Sequence, residues 1–213
     1  MTELIVMRHG ETDWNRQHRF QGQIDVPLNA AGRAQARRLA QRLERETFDV
    51  VVASDLQRAR STAELAASGR DIISDPLWRE QSFGVLEGLD AATIIEQHPQ
   101  LWASWLRHDA DYALPGGESV RTFHGRVLQA LQQVVERHHG ARVAVFSHGG
   151  VLDMLWRAAH REPLHGPRAC EIPNTGINRM RWRDGTLEIL EWADAAHLEG
   201  LPEQADTTPL GVP

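Results

Sequence analysis

LIVMRHGETDWN, Leu4 to Asn15, holds an apolar run of strand length that breaks abruptly into Arg8, His9, Gly10 and Glu11. Leu4, Ile5, Val6 and Met7 are continuous and apolar, the pattern of a strand buried on both faces of a sheet. In an open α/β sheet, ligands bind beyond the carboxyl ends of the strands, where a turn is held by a rigid scaffold yet open to solvent. The residues placed there suit an anion. Arg8 offers a planar, permanently charged donor, His9 a nitrogen that can attack or move a proton, and Gly10 a backbone that a bound group can approach closely.

A second stretch repeats the arrangement. In VAVFSHGGV, Val143 to Val151, another strand-like run ends in His148 and Gly149 and passes into a helical pattern. Neighbouring strands would set His9 beside His148. In a third stretch the run FDVVVAS, Phe48 to Ser54, is followed by Asp55, a good helix N-cap, and by Arg58 on the first turn of the helix that follows. The remaining chain alternates in the same way. Ala34, Leu39, Ala40 and Leu43 recur at helical spacing between Ala30 and Glu46, Asp71 to Ser74 reads as a short strand, and a long helix runs from about Val120 to His139. Asn178 to Trp182 and Thr186 to Trp192 flank Asp184-Gly185, a hairpin signal. This order predicts an α/β fold, a three-layer sandwich with a mostly parallel central sheet flanked by helices. Between about residues 77 and 115 no strand pattern occurs, but helical patches carry Trp78, Trp102 and Trp105, with Pro99 as a helix start. We read this stretch as a helical insertion over the mouth of the site, within a single domain spanning residues 1–195. Residues 196–213, rich in Pro, Gly, Glu and Thr, read as a flexible tail.

Taken together, RHGETDWN, FQGQIDVPLNAAGRAQA, SDLQRARSTA, REQSFGVLEG, PGGES and SHGG resemble the signature pieces of the histidine phosphatase superfamily, the phosphoglycerate mutase-like fold, in that family's order. The resemblance implies a phosphohistidine intermediate at His9, and it sets Asn15, Gln21, Gly22 and, more weakly, Thr12 in the phosphate pocket. Elementary chemistry supports the nucleophile. Nearby guanidinium groups disfavour a protonated imidazole, which leaves His9 a lone pair for phosphorus. Phosphoryl transfer otherwise asks for positioning and for charge on the equatorial oxygens, which Arg8, Arg58, His148 and backbone N–H groups near Gly149 can supply. On this reading neither metal nor cofactor is needed; the competing idea, that His9 and His148 bind a metal, lacks an HxH or HExxH spacing.

A departing alkoxide needs a proton, and the residues alone leave Glu11, Glu80, Glu87 and Glu118 as acids. The resemblance selects Glu80. Mutases of the superfamily carry Glu-Arg-His-Tyr-Gly and a paired-arginine stretch here, whereas this chain has Glu80-Gln81-Ser82-Phe83-Gly84 and only Arg107 before Pro115. Hydrolysis is therefore expected, with mutase activity and non-catalytic binding of a phosphorylated ligand as the alternatives.

Composition narrows the partners. The 213 residues hold 23 Lys+Arg against 29 Asp+Glu, a formal charge of −6, so no general basic field favours nucleic acid or an acidic membrane. The single cysteine, Cys170, cannot pair within the chain, and no apolar run approaches the ~20 residues of a membrane span. A cytoplasmic enzyme acting on a small phosphorylated metabolite is expected; homodimerisation is left open.

Overall fold

The computed structural model describes residues 1–202. The strand predicted from Leu4 to Met7 is β1, Thr2–Arg8. A short helix α1, Asp13–Arg16, interrupts the polar loop that follows, and α2, Ala30–Leu43, then starts at Asn29, whose side chain accepts from the Gly32 N–H. Next come β2, Val50–Ala53, α3, Gln57–Ala66, and β3, Ile72–Ser74. The cap region holds α4, Ala91–Gln97, and α5, Pro99–Trp105, with Pro99 in its first turn. It is followed by α6, Val120–Arg137, β4, Arg142–Ser147, and α7, Gly149–His160. The hairpin is β5, Ile177–Arg183, and β6, Thr186–Asp194, turning through Asp184 and Gly185 at φ 50° and 78°. Two positive φ values in succession are what a tight hairpin turn with the right twist demands.

The sheet runs β3-β2-β4-β1-β5-β6. Strands β1, β2, β3 and β4 are mutually parallel, while β5 lies antiparallel to β1 and to β6. Alternate residues of β1 serve opposite layers. Leu4 and Val6 join Val143 and Val145 under α6 and α7, whereas Ile5 and Met7 join Ala144 and Phe146 under α2 and α3. Each such side chain contributes roughly 1.5–3 kcal/mol on burial, so a one-residue slip of β1 would exchange its two faces at large cost.

The cap has its own small core, in which Phe20, Leu86, Ile94 and Leu114 are packed by Phe83, Trp102, Trp105 and Tyr112. Phe20 meets both Phe83 and Trp105 edge to face, with ring centroids 5.0 and 5.3 Å apart. Trp78 belongs to the main core and not to the cap. It is fully buried in the main core under α6, and its carbonyl accepts from the Ser147 hydroxyl at 2.7 Å. Ala196–Leu198 form a 3-10 turn, and the rest of the expected tail, from residue 203, lies outside the described residues.

Candidate active site

Strands β1 and β4 pair with Arg8 opposite Ser147, so the residue after each strand is a histidine at the same sheet edge. The rings of His9 and His148 lie 5.2 Å apart. The backbone of this corner is held on several sides: His9 N–H donates to Ser147 O at 2.9 Å, and Asn174 Nδ2 donates to His9 O at 2.8 Å. Thr62 of α3 completes it, accepting from Gly10 N–H at 3.0 Å while donating to Arg58 O at 2.7 Å.

That scaffold sets the chemistry of His9. Its Nδ1 lies 2.7 Å from the carbonyl of Gly10. A carbonyl can only accept, so Nδ1 carries the proton and Nε2 presents the lone pair. Burial first, then the charges of Arg58 and Arg8, push the His9 pKa well below the ordinary histidine value. His148 is shifted the same way, by burial and then Arg58, His9 and Arg8. Its Nε2 meets the Ser54 hydroxyl at 2.8 Å, and its buried Nδ1 has no partner among the described residues.

The two arginines are fixed by carbonyls. Arg8 Nη1 donates to Ile172 O at 2.7 Å; Arg58 donates through Nη1 to Ile24 O at 2.8 Å and through Nη2 to Gly22 O at 2.7 Å. Burial lowers both pKa values to about 10, which leaves both charged at neutral pH. In each, the buried Nε has no hydrogen-bond partner among the described residues. Buried donors cost free energy when unpaired, and here they belong to residues that converge with His148 on one spot. An oxyanion would satisfy them.

Of the four carboxylates, three are committed elsewhere. Glu11 takes Arg16 Nε at 2.7 Å and Asn29 Nδ2 at 2.8 Å, and Glu87 takes the N–H groups of Gln23 and Phe83 at 3.0 and 2.9 Å. Glu118 forks onto Arg126 at 2.8 and 2.7 Å. Burial pushes the Glu118 pKa up, but the Arg126 pair and the Ser82 N–H outweigh it and hold the group below the usual carboxylate range. Glu80 alone sits against the α7 N-terminus, its Oε2 accepting from Gly150 N–H at 3.0 Å and its Oε1 from Gln81 N–H at 2.9 Å. The approach is close enough that a Cβ on Gly150 would come within 2.1 Å of Glu80 Oε1.

Not every expected residue meets the cluster. Thr12 and Asn15 form the capping box of α1, and Thr12 Oγ1 also reaches Gln21 Oε1 at 3.0 Å. Gly22 contributes its carbonyl to Arg58. Asp55 is not the cap of α3. It forks onto Arg79 at 2.7 and 2.5 Å, while Asp25 receives the Gln57 N–H at the helix start. Sequence reasoning missed Arg168, which with Arg8 flanks Gly149: a Cβ there would stand 3.5 Å from Arg168 Nη2 and from Arg8 Nε. A lone arginine in an irregular stretch carries no periodic signal. Among the described residues no group of three His, Cys, Asp or Glu side chains is arranged to hold a metal ion, and no helix is long and apolar enough to cross a membrane.

Beside Glu80 and Gly150 a cavity of about 250 Å³ runs along α7 beneath the cap, walled by Phe83, Trp105, Tyr112 and Phe123. Its volume lies just below the range of ~300–1,000 Å³ usual for ligand sites, which suits a small metabolite.

The depressed histidine pKa values make a two-part prediction. The acid limb of kcat/KM due to His9 should lie well below pH 6.5, where an unperturbed histidine titrates. Stability should move too. Below pH ~6.5 the unfolded chain protonates both histidines while burial and arginine charge keep the native ones neutral, so stability present at pH 7.5 is lost as the pH falls toward 5.5. Urea unfolding at the two pH values measures it; equal midpoints would contradict it.

The family model for the histidine phosphatase superfamily (branch 1) matches residues 4–195. The phosphoglycerate mutase-like protein 4 of Arabidopsis thaliana is 37% identical over 92% of this chain and 87% of its own length. A metal-independent phosphoserine phosphatase of the same plant is 36% identical over 94% and 85%. Among solved structures, YhfR of Bacillus stearothermophilus superposes with a TM-score of 0.85 at 33% identity, covering 93% of this chain and all of that one. With its two strand-end histidines and paired buried arginines on that family's sheet, the chain belongs to the histidine phosphatase superfamily, branch 1.

Proposed function

We propose that the protein is a metal-independent phosphomonoesterase that hydrolyses a small phosphorylated metabolite through a phosphohistidine on His9. The observation that carries this is the Nδ1 contact of His9 with Gly10 O at 2.7 Å, which aims a neutral Nε2 lone pair out of a shell of arginine charge. In the first step Nε2 forms a bond to phosphorus as the ester oxygen leaves, and Glu80 gives that oxygen its proton. Arg8, Arg58 and the Nδ1–H of His148 hold the equatorial oxygens, with the Gly149 end of α7 adding its N-terminal partial charge. In the second step Glu80, now a carboxylate, takes a proton from water as it attacks phosphorus, and His9 is released. Thr12 and Asn15 act through the loop that carries Gln21 and Gly22, and Gly22 holds Arg58 in turn.

The reading takes residues 1–195 as one catalytic domain, supported by a family match that spans nearly all of it. It includes a cytoplasmic location, supported by a single half-buried cysteine. The test is a panel of phosphomonoesters assayed with and without EDTA. Phosphate release at an unchanged rate is expected on at least one ester; loss of most activity in EDTA, restored by a divalent ion, would overturn the mechanism. Transfer of the phosphoryl group to a second hydroxyl of the substrate, in place of its release, would favour the mutase alternative.

A further inference from the structure

One stripe of α7 forms a wall of the cavity. Gly150, Asp153, Met154 and Arg157, spaced three, four and seven residues apart, all line it, so the helix leads from Glu80 at its N-terminal end to Arg157 further along. Arg157 is fully engaged: its Nε meets Asp153 Oδ2 at 3.2 Å, and its Nη groups donate to the carbonyls of Pro163, Gly166 and Pro167. It pins the loop that forms the next wall. Asp153 is 8% exposed, and its second oxygen, Oδ1, is buried with no hydrogen-bond partner among the described residues. A buried carboxylate oxygen left unpaired, on a residue that lines a cavity, is a costly feature unless something donates to it.

Resting on the phosphatase reading above, we propose that Asp153 is a specificity-determining residue that accepts a hydrogen bond from a hydroxyl of the substrate, and that the substrate class is the short polyol phosphate monoester. One observation favours a hydroxyl over an ammonium: the Asp153 charge is already balanced by Arg157, which leaves an acceptor more than a net charge. The rings of Phe83, Trp105 and Tyr112 also line the cavity and offer a surface for the C–H faces of a carbon chain. Reach sets the position of the hydroxyl. Asp153 follows Gly150 by three residues, about 4.5 Å along the helix, so the donating group lies two or three bonds beyond the ester oxygen that Glu80 protonates.

The experiment compares kcat/KM for glycerol 3-phosphate and n-propyl phosphate, which share a three-carbon chain and differ in the two hydroxyls, with 2-aminoethyl phosphate as the ammonium arm. The wild type is expected to prefer glycerol 3-phosphate by on the order of 10- to 100-fold, the worth of a hydrogen bond to a charged group. In Asp153→Asn the amide oxygen stays with Arg157 and turns the amide N–H₂ toward the cavity, so the free acceptor is lost without loss of volume, and the preference should fall toward unity. Asp153→Ala, which removes both oxygens, is the second variant and should do the same. A wild-type ratio near one, a ratio unmoved in the variants, or a defect confined to 2-aminoethyl phosphate would each overturn the proposal. Phosphohistidine trapped on the wild type from p-nitrophenyl phosphate reports separately on the phosphatase reading, so the two can fail independently.

Discussion

His9→Ala is expected to abolish turnover, by more than about 10⁴-fold, while leaving the fold intact. In the proposed mechanism His9 forms the bond to phosphorus, and water cannot take up the same position with the same alignment. The ring is also held by its own chain: the backbone N–H of His9 donates to Ser147 and its carbonyl accepts from Asn174, and both contacts survive truncation of the side chain. The sheet edge therefore stays assembled, and the loss is chemical. Quenching the wild type without acid should trap phosphate on His9, since phosphohistidine is lost in acid. Phosphate on a serine, or activity retained in the variant, would remove the mechanism.

Glu80→Gln should be damaging in a selective way. The amide keeps the size of the carboxyl and an oxygen for the Gly150 N–H, so the contact with the α7 N-terminus is kept while that with the Gln81 N–H is lost. What it cannot do is give up a proton to a departing alkoxide. Alkyl phosphates should lose on the order of 10²–10⁴ in rate, the usual worth of general acid catalysis. The phenolate of p-nitrophenyl phosphate leaves unaided, so its first step should be almost untouched. Its second step still lacks a base for water, and the variant should show a burst of nitrophenol and accumulate phosphoenzyme. Equal losses on both esters with no burst would reduce Glu80 to a structural role.

Much of this arrangement was legible in the sequence, for definite physical reasons. A strand buried on both faces has little freedom in composition, so Leu4–Met7 and Val143–Phe146 declared themselves, and a histidine at the second position after each could only fall at the same edge once the strands were neighbours. Hidden features were those decided across space. Asp55 obeys the local rule for a helix cap, yet an arginine 24 residues away offers it a two-pronged ion pair, and the long-range partner wins. Trp78 falls in a segment with a cap's pattern but is drawn under α6 by the main core. The α7 stripe from Gly150 to Arg157 was present as a spacing, but that spacing alone does not say that the face looks into a cavity and not into the core. Glu80 is the mixed case. The residues left four acids open, the resemblance pointed to Glu80, and the competing partners of the other three support that proposal.

The strand order also fixes when this site can exist. Strand β1 precedes the other described elements, yet both its sheet neighbours, β4 and β5, come much later in the chain, with Arg8 waiting for Ser147 and Met7 for Ile177. Until β4 has left the ribosome, an unpaired strand of Leu, Ile, Val and Met has nothing to add to on either edge. Contacts this distant in sequence are slow to form, because a long loop must close before any of them contributes. The site is therefore assembled only after β4 and β5 have been made, and β1, which leads to the proposed nucleophile, needs protection from aggregation while the chain is growing.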